Sequence, residues 1–284
     1  MVQARLKGLL PPDFDSSEMS VIDVRNPPKR QQSDFGLLEV ASGRNPQDER
    51  SEAERFAEDG FVLLRHATKV RNWDADVAAI YLPEIETVVR ERLFPGRRLE
   101  VQQFASLVRR GRGTGVPYAG GVHSDGPLTA EHYALNVGAF AGAGAERWWR
   151  AEYERPDVRA FVNIDFWRTT NMSGPLQHMP LALCRPASLE QADIIPSRMR
   201  GIAPGENLTN HLALRFNSNQ RWTYFPHMRS DEVLAFKLCE FWKDDPDARA
   251  QNVFHTAFAD PNTPADAEER QSCEHRVGVL LLAD

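Results

Sequence analysis

Apolar residues at spacings of three and four run through Val77, Ile80, Tyr81, Ile85, Val88, Val89 and Leu93, and they predict a helix over 73–93 with one buried face. Pro83 falls inside this stretch and is expected to restart or kink it. Upstream, Ser51 followed three places later by Glu54 has the form of a capping box, so a helix is predicted over 51–59, closed by Gly60. Phe61-Val62-Leu63-Leu64 then reads as a short buried strand. From Leu99 the texture changes. Short β-type runs at 99–109, 159–167, 211–216, 221–225, 232–239 and 273–282 are separated by Gly, Pro and Asn, with one helical insertion expected near 145–154.

Many short strands after an N-terminal helical segment predict a mainly β chain with flanking helices, built as a jelly-roll or barrel. One domain is expected over 1–284: an N-terminal arm over 1–50, helical support over 51–98 and the jelly-roll core over 99–284. The arm is rich in proline, serine and charge, with one strand-like run at Val21-Ile22-Asp23-Val24. No internal repeat, coiled-coil heptad or linker composition interrupts this order.

Composition narrows the function classes. Of the 284 residues, 42% are hydrophobic and 26% charged, enough for a sizeable core. The net charge of −6 comes from 40 acidic and 34 basic residues spread along the chain, without the basic stripe that nucleic acid would require. No apolar run approaches the ~18 residues of a membrane span, and the first residues lack a secretory core, so a cytoplasmic protein is expected. Three cysteines, Cys184, Cys239 and Cys273, stand far apart without a CxxC and read as buried thiols.

Candidate chemistry begins at Gly120-Gly121-Val122-His123-Ser124-Asp125-Gly126. In an extended segment, side chains at i and i+2 point the same way, so His123 and Asp125 can meet one ion. Alone, H-x-D is a weak signal. His255 ends the apolar run Asn252-Val253-Phe254 and lies 132 positions after His123 (255 minus 123), as expected where distant strands converge. Two histidines and one carboxylate make the facial triad that leaves positions open on a ferrous ion. His211, which also opens a strand, is the alternative ligand; the other histidines lack a partnering motif.

Arg270 follows His255 by 15 positions (270 minus 255), and Ser272 shares its strand face. A guanidinium fork with a neighbouring hydroxyl suits the distal carboxylate of 2-oxoglutarate. Glu274 and Arg276 continue the same parity, so either arginine could be that anchor. Trp167, Arg168, Arg221 and Tyr224 sit on predicted strands as candidate substrate contacts. Aromatics at such positions are usually core. The arginines, if they point inward, predict a carboxylate-bearing substrate such as an amino acid or natural-product intermediate. Arg109-Arg110-Gly111-Arg112-Gly113 could be an anion-attracting lid or a solvated loop.

A family resemblance spans nearly the whole chain. Val122-His123-Ser124-Asp125, Trp167-Arg168, Pro180-Leu181-Ala182-Leu183-Cys184, Arg221-Trp222-Thr223-Tyr224-Phe225, His255-Thr256-Ala257-Phe258 and Arg270-Gln271-Ser272-Cys273-Glu274-His275-Arg276 occur in one order. In that order the chain resembles the iron/2-oxoglutarate oxygenases that include the cephalosporin 7-hydroxylation component, gibberellin desaturase-like proteins and fungal natural-product enzymes. The resemblance implies a double-stranded β-helix, Fe(II) on His123, Asp125 and His255, and 2-oxoglutarate at the Arg270/Ser272 end. It also implies O2 as co-reactant and a small molecule that is hydroxylated, desaturated or cyclised. Two positions depart: Asp165 stands where the family usually has asparagine, and Gln271 replaces the middle residue of R-E-S. The competing classes are a cupin-like metal enzyme without 2-oxoglutarate and a non-catalytic jelly-roll binder.

Overall fold

Ser51 caps the first helix, α1 (Glu52–Asp59), through both halves of a capping box, and Gly60 closes it at φ 78°. Such a cap is worth about 1 kcal/mol. The helical stretch predicted over 73–93 is observed from residue 77. Its centre, α2 (Leu82–Val88), has Pro83 in the first turn and is flanked by wider turns at Val77–Tyr81 and Val89–Leu93. The structure, a computed structural model, describes residues 1–18, 21–25, 37–245 and 248–283.

Thirteen strands are present among the described residues. Early in the chain are β1 (Val2–Ala4), β2 (Ile22–Asp23), β3 (Leu38–Ser42), β4 (Phe61–Arg65), β5 (Leu99–Gly111) and β6 (Val158–Thr169). They are followed by β7 (Leu181–Cys184), β8 (Ile194–Arg200), β9 (Leu208–Leu214) and β10 (Trp222–Tyr224). The last are β11 (Glu232–Trp242), β12 (His255–Ala257) and β13 (Gln271–Leu282). Between β5 and β6 lie two helices, α3 (Ala130–Ala141) and α4 (Ala143–Glu154). The insertion expected near 145–154 is α4; α3 is an addition.

The larger sheet has the order β4-β11-β6-β13-β5 and is antiparallel throughout. A second sheet runs β1-β3-β10-β7-β12, and a third runs β2-β8-β9. The segment at 123–124 joins these two, because His123 pairs with His255 on β12 and Ser124 pairs with Leu212 on β9. Thus β1 and β3, from the expected N-terminal arm, are strands of the smaller layer.

Alternation along the strands divides the core. Ile164 and Phe166 of β6 and Cys273 of β13 face outward onto Tyr81, Ile85 and Val89 of the helical stretch. Trp167, Phe236 and Leu238 face inward, against Leu181 and Leu183 of β7. Tyr133, Val137 and Trp149 of α3 and α4 cover one end of this inner space with Phe161 and Leu280. All three cysteines are buried and free, as expected. No helix of the described residues is long and apolar enough to cross a membrane.

Candidate metal and cosubstrate site

His123 and His255 are a backbone pair as well as neighbours. The His123 N–H donates to the His255 carbonyl at 3.2 Å, the His255 N–H returns the bond at 2.9 Å, and the two rings lie 4.5 Å apart. Asp125 follows on the side of His123, and one ligand atom from each of the three residues falls within 4.8 Å of the others. Each imidazole uses Nδ1 to reach a carbonyl two residues back: His123 to Gly121 at 2.6 Å and His255 to Val253 at 3.0 Å. Donation there leaves Nε2 as the free lone pair, and both Nε2 atoms face Asp125, at 3.8 and 3.9 Å. Burial, followed by the nearby His123, pushes His255 down to about 3, so it is neutral near pH 7. Burial opposes ionisation of Asp125, but Arg276, His123 and His211 together hold its carboxyl well below the usual range. A two-histidine, one-carboxylate donor set, with His255 buried and His123 and Asp125 half-buried, fits a ferrous ion.

His211, the alternative ligand, lies outside this group of three. Its Nδ1 is 3.4 Å from Asp125 Oδ1 and its Nε2 is 2.8 Å from Thr209 Oγ1. It backs the carboxylate from β9.

Arg270, immediately before β13, and Ser272, Glu274 and Arg276 on it alternate with the outward-facing Cys273, and the two arginines have different partners. Arg276 donates to Asp125 Oδ2 at 2.7 Å and lies 3.9 Å from Glu274. Arg270 is 2% exposed, and no described carboxylate lies within ion-pair distance of it. Its guanidinium rests over the rings of Tyr118 at 4.1 Å and Trp167 at 5.4 Å, and one nitrogen donates to the Met179 carbonyl. Among the described residues, its Nε and the buried Ser272 Oγ have no hydrogen-bond partner. Burial lowers Arg270 to about 10. A cation held in this way without a counter-charge suits an anion brought from outside.

The four candidate substrate contacts separate. Trp167 faces the cleft that also holds His123, Asp125, His255 and Arg270. Arg168, one residue on, necessarily points to the other face of β6. It is fully buried there, donates to the carbonyls of His66 and Ser230, and packs over Trp73 and Tyr81. Arg221 is exposed just before β10, with Nη1 on the Ser218 carbonyl at 3.0 Å. Tyr224 turns outward from β10 onto Phe258, ring centroids 5.3 Å apart. The expectation of inward-pointing Arg168 and Arg221 is therefore corrected, and with it the ground for a carboxylate-bearing substrate. Arg109 and Arg110 lie on β5, paired with Asp74 and Glu274, not in a free basic lid.

A cavity of about 660 Å³ opens beside Asp125 and Arg276. Its floor includes Asn163 and Leu238, and its wall is the α3 face bearing Tyr133, Val137 and Phe140. Sequence reasoning missed this wall. The parity of β6 carried a usable signal, because Asp165 and Asn163 continue the inward face of Trp167 in steps of two. Asp165 pairs in register with Arg276, and burial together with Glu274 raises its carboxyl well above the ordinary range.

A jelly roll carrying two histidines and a carboxylate, with a buried arginine just before the last strand that no described carboxylate pairs, defines the class of non-haem iron and 2-oxoglutarate-dependent oxygenases. The chain belongs to the family described as Oxidoreductase/YMDC permease-like domain, whose model matches residues 11–280. Its relatives include Hydroxylase/desaturase poxK of Penicillium oxalicum, 26% identical over 239 residues, covering 75% of this chain and 68% of that protein. Alpha-ketoglutarate-dependent dioxygenase phiK of Fungal sp. is 24% identical over 245 residues and 82% of each chain. Aspirochlorine biosynthesis protein N of Aspergillus oryzae is 32% identical over 120 residues, 41% of this chain and 47% of that one. In fold, the chain is similar to the solved iron and alpha-ketoglutarate-dependent endoperoxidase NvfI, with a TM-score of 0.71 and 20% identity over 99% of this chain and 98% of that one. The expected mainly β, jelly-roll architecture is thereby borne out.

Proposed function

We propose that this oxygenase holds Fe(II) on His123, Asp125 and His255, anchors the distal carboxylate of 2-oxoglutarate on Arg270 with Ser272, and oxidises a C–H bond of a small organic molecule seated beside Arg276. The observation that carries the reading is Arg270: a buried guanidinium with an orphaned Nε, sharing one cleft with the three metal-ligand candidates. The paired relatives described as a hydroxylase/desaturase and an alpha-ketoglutarate-dependent dioxygenase support it.

Iron with 2-oxoglutarate and O2 supplies an oxidant able to remove hydrogen from an unactivated carbon. The chain's own groups prepare and confine that chemistry. Gly121 and Val253 set both imidazole tautomers through their carbonyls. Arg276 on Oδ2 and His211 beside Oδ1 hold Asp125 ionised and oriented. Tyr118 and Trp167 shield Arg270 from water, so an arriving carboxylate meets a charge that bulk solvent does not screen. Hydroxylation, desaturation and ring closure then differ only in where the cavity places the substrate radical.

The test is succinate release with Fe(II), 2-oxoglutarate and O2, compared across Arg270→Met and Arg276→Met. Arg270→Met is expected to demand far more 2-oxoglutarate, and Arg276→Met to weaken iron binding first. A 2-oxoglutarate requirement unchanged in both variants would sink the assignment.

A further inference from the structure

Accepting that the 660 Å³ cavity is the substrate side of the site proposed above, we propose that it selects a neutral, largely apolar molecule bearing a hydroxyl group, and that Asn163 with Tyr133 is the pair that reads this hydroxyl. Charge excludes the alternative first. Among the described residues lining the cavity, Arg276 is the one cation, and it is already 2.7 Å from Asp125. A substrate carboxylate would be buried there without a counter-charge, which is strongly unfavourable. Val137, Phe140, Ala141 and Leu238 supply apolar walls, and the volume falls in the ~300–1,000 Å³ range of small-molecule sites.

The polar feature is built and incomplete. Asn163 is 5% exposed, its Nδ2 donates to Tyr133 Oη at 2.6 Å, and its Oδ1 has no partner among the described residues. An amide offers two N–H donors and a carbonyl, and a phenol offers one donor and one acceptor. Their mutual bond therefore leaves both donor and acceptor capacity buried and free. Turning the amide over so that Tyr133 donates to Oδ1 leaves the two N–H donors instead. A hydroxyl, which donates and accepts, satisfies the pair in either orientation; a carbonyl satisfies only one, and a hydrocarbon neither. The neighbours give no substitute: Asn136 is occupied by Asn210, and Gln103 by Leu82 and His275.

The test uses three probes with one ring system: 1-pyrenylmethanol, pyrene and 1-pyrenecarboxylate. Each is titrated by equilibrium dialysis into the full chain loaded with Fe(II) and 2-oxoglutarate without oxygen. The alcohol is expected to bind at least about tenfold tighter than the carboxylate and several-fold tighter than pyrene, about what one satisfied hydrogen bond confers. Asn163→Leu should bring the alcohol to the level of pyrene, and Tyr133→Phe, which deletes only the hydroxyl, should do so in part and serves if Asn163→Leu fails to fold. Ala141→Trp, at the exposed end of α3, should weaken all three probes equally. Saturable binding by none of them, a carboxylate as tight as the alcohol, or an alcohol preference that survives both pocket variants overturns the inference. Iron and 2-oxoglutarate binding are read in the same samples. Their loss with the probe preference intact would remove the proposed chemistry and leave the pocket; the reverse result would remove only the pocket.

Discussion

Trp167 and Asn163 lie four positions apart on one face of β6, yet they floor two different spaces. The Trp167 end is tight and charged. Aromatic rings enclose Arg270, and the approach leads to the three metal-ligand candidates. At the Asn163 end the floor drops away, α3 replaces a strand as the wall, and the surfaces are apolar with one small polar pair. Asp165 stands between them, on the same face and in register with Arg276. On the reading proposed above, one strand carries the cosubstrate end and the substrate end of the site side by side, and the difference lies in what covers each. A group that must bind one fixed dianion can be enclosed rigidly, whereas a group that meets a larger molecule needs room and a wall that can differ.

Four measurements would break or sharpen this contrast. The largest effect is expected from Arg270→Leu, which should raise the KM for 2-oxoglutarate about 100-fold by removing the buried partner of a carboxylate, while iron affinity stays near the parent value. Equal losses of both affinities would show that the two ends are not separable. Arg276→Leu should act the other way, lowering Fe(II) affinity by about 10- to 100-fold through loss of the Asp125 contact; an anaerobic iron titration reads it. Arg168→Met should leave both affinities alone and cost about 2 kcal/mol of stability in urea unfolding, since it strips donors from the His66 and Ser230 carbonyls behind the sheet. A changed KM would return Arg168 to the site. The smallest functional effect concerns the thiols. Burial pushes Cys184 up to about 12, and Cys239 and Cys273 are likewise buried and raised. At pH 8 a thiol reagent should therefore label native protein far more slowly than urea-unfolded protein, with no loss of turnover from brief exposure.

The candidate metal ligands could be read from sequence because their geometry is local in two pieces: H-x-D needs only an extended backbone, and His255 needs only the end of a buried run. The choice between Arg270 and Arg276 could not. Both share a parity, and what separates them is that Asp125 pairs with one and no described carboxylate pairs with the other, a tertiary fact. Trp167 and Arg168 teach a harder lesson, since adjacent residues of a strand point to opposite faces and at most one could reach the site. The frame of β6 was the missing piece, not its existence. α3 escaped because Leu135 and Phe140 are apolar but exposed, which blurs the 3.6-residue period, and Gly138 and Gly142 give the stretch a loop-like texture. β8 is not among the expected runs, and Pro196 within it weakens the strand pattern there.

The reciprocal backbone bonds between His123 and His255 also bear on how the chain reaches this state. Those residues are 132 positions apart (255 minus 123), so the site cannot exist until a pairing across nearly half the chain has closed. Contacts of such long sequence separation form late, after the entropy of closing the intervening loop has been overcome. An ion bound by both imidazoles and Asp125 would lock that closure in place, so iron should slow the protein's unfolding as well as equip it for reaction.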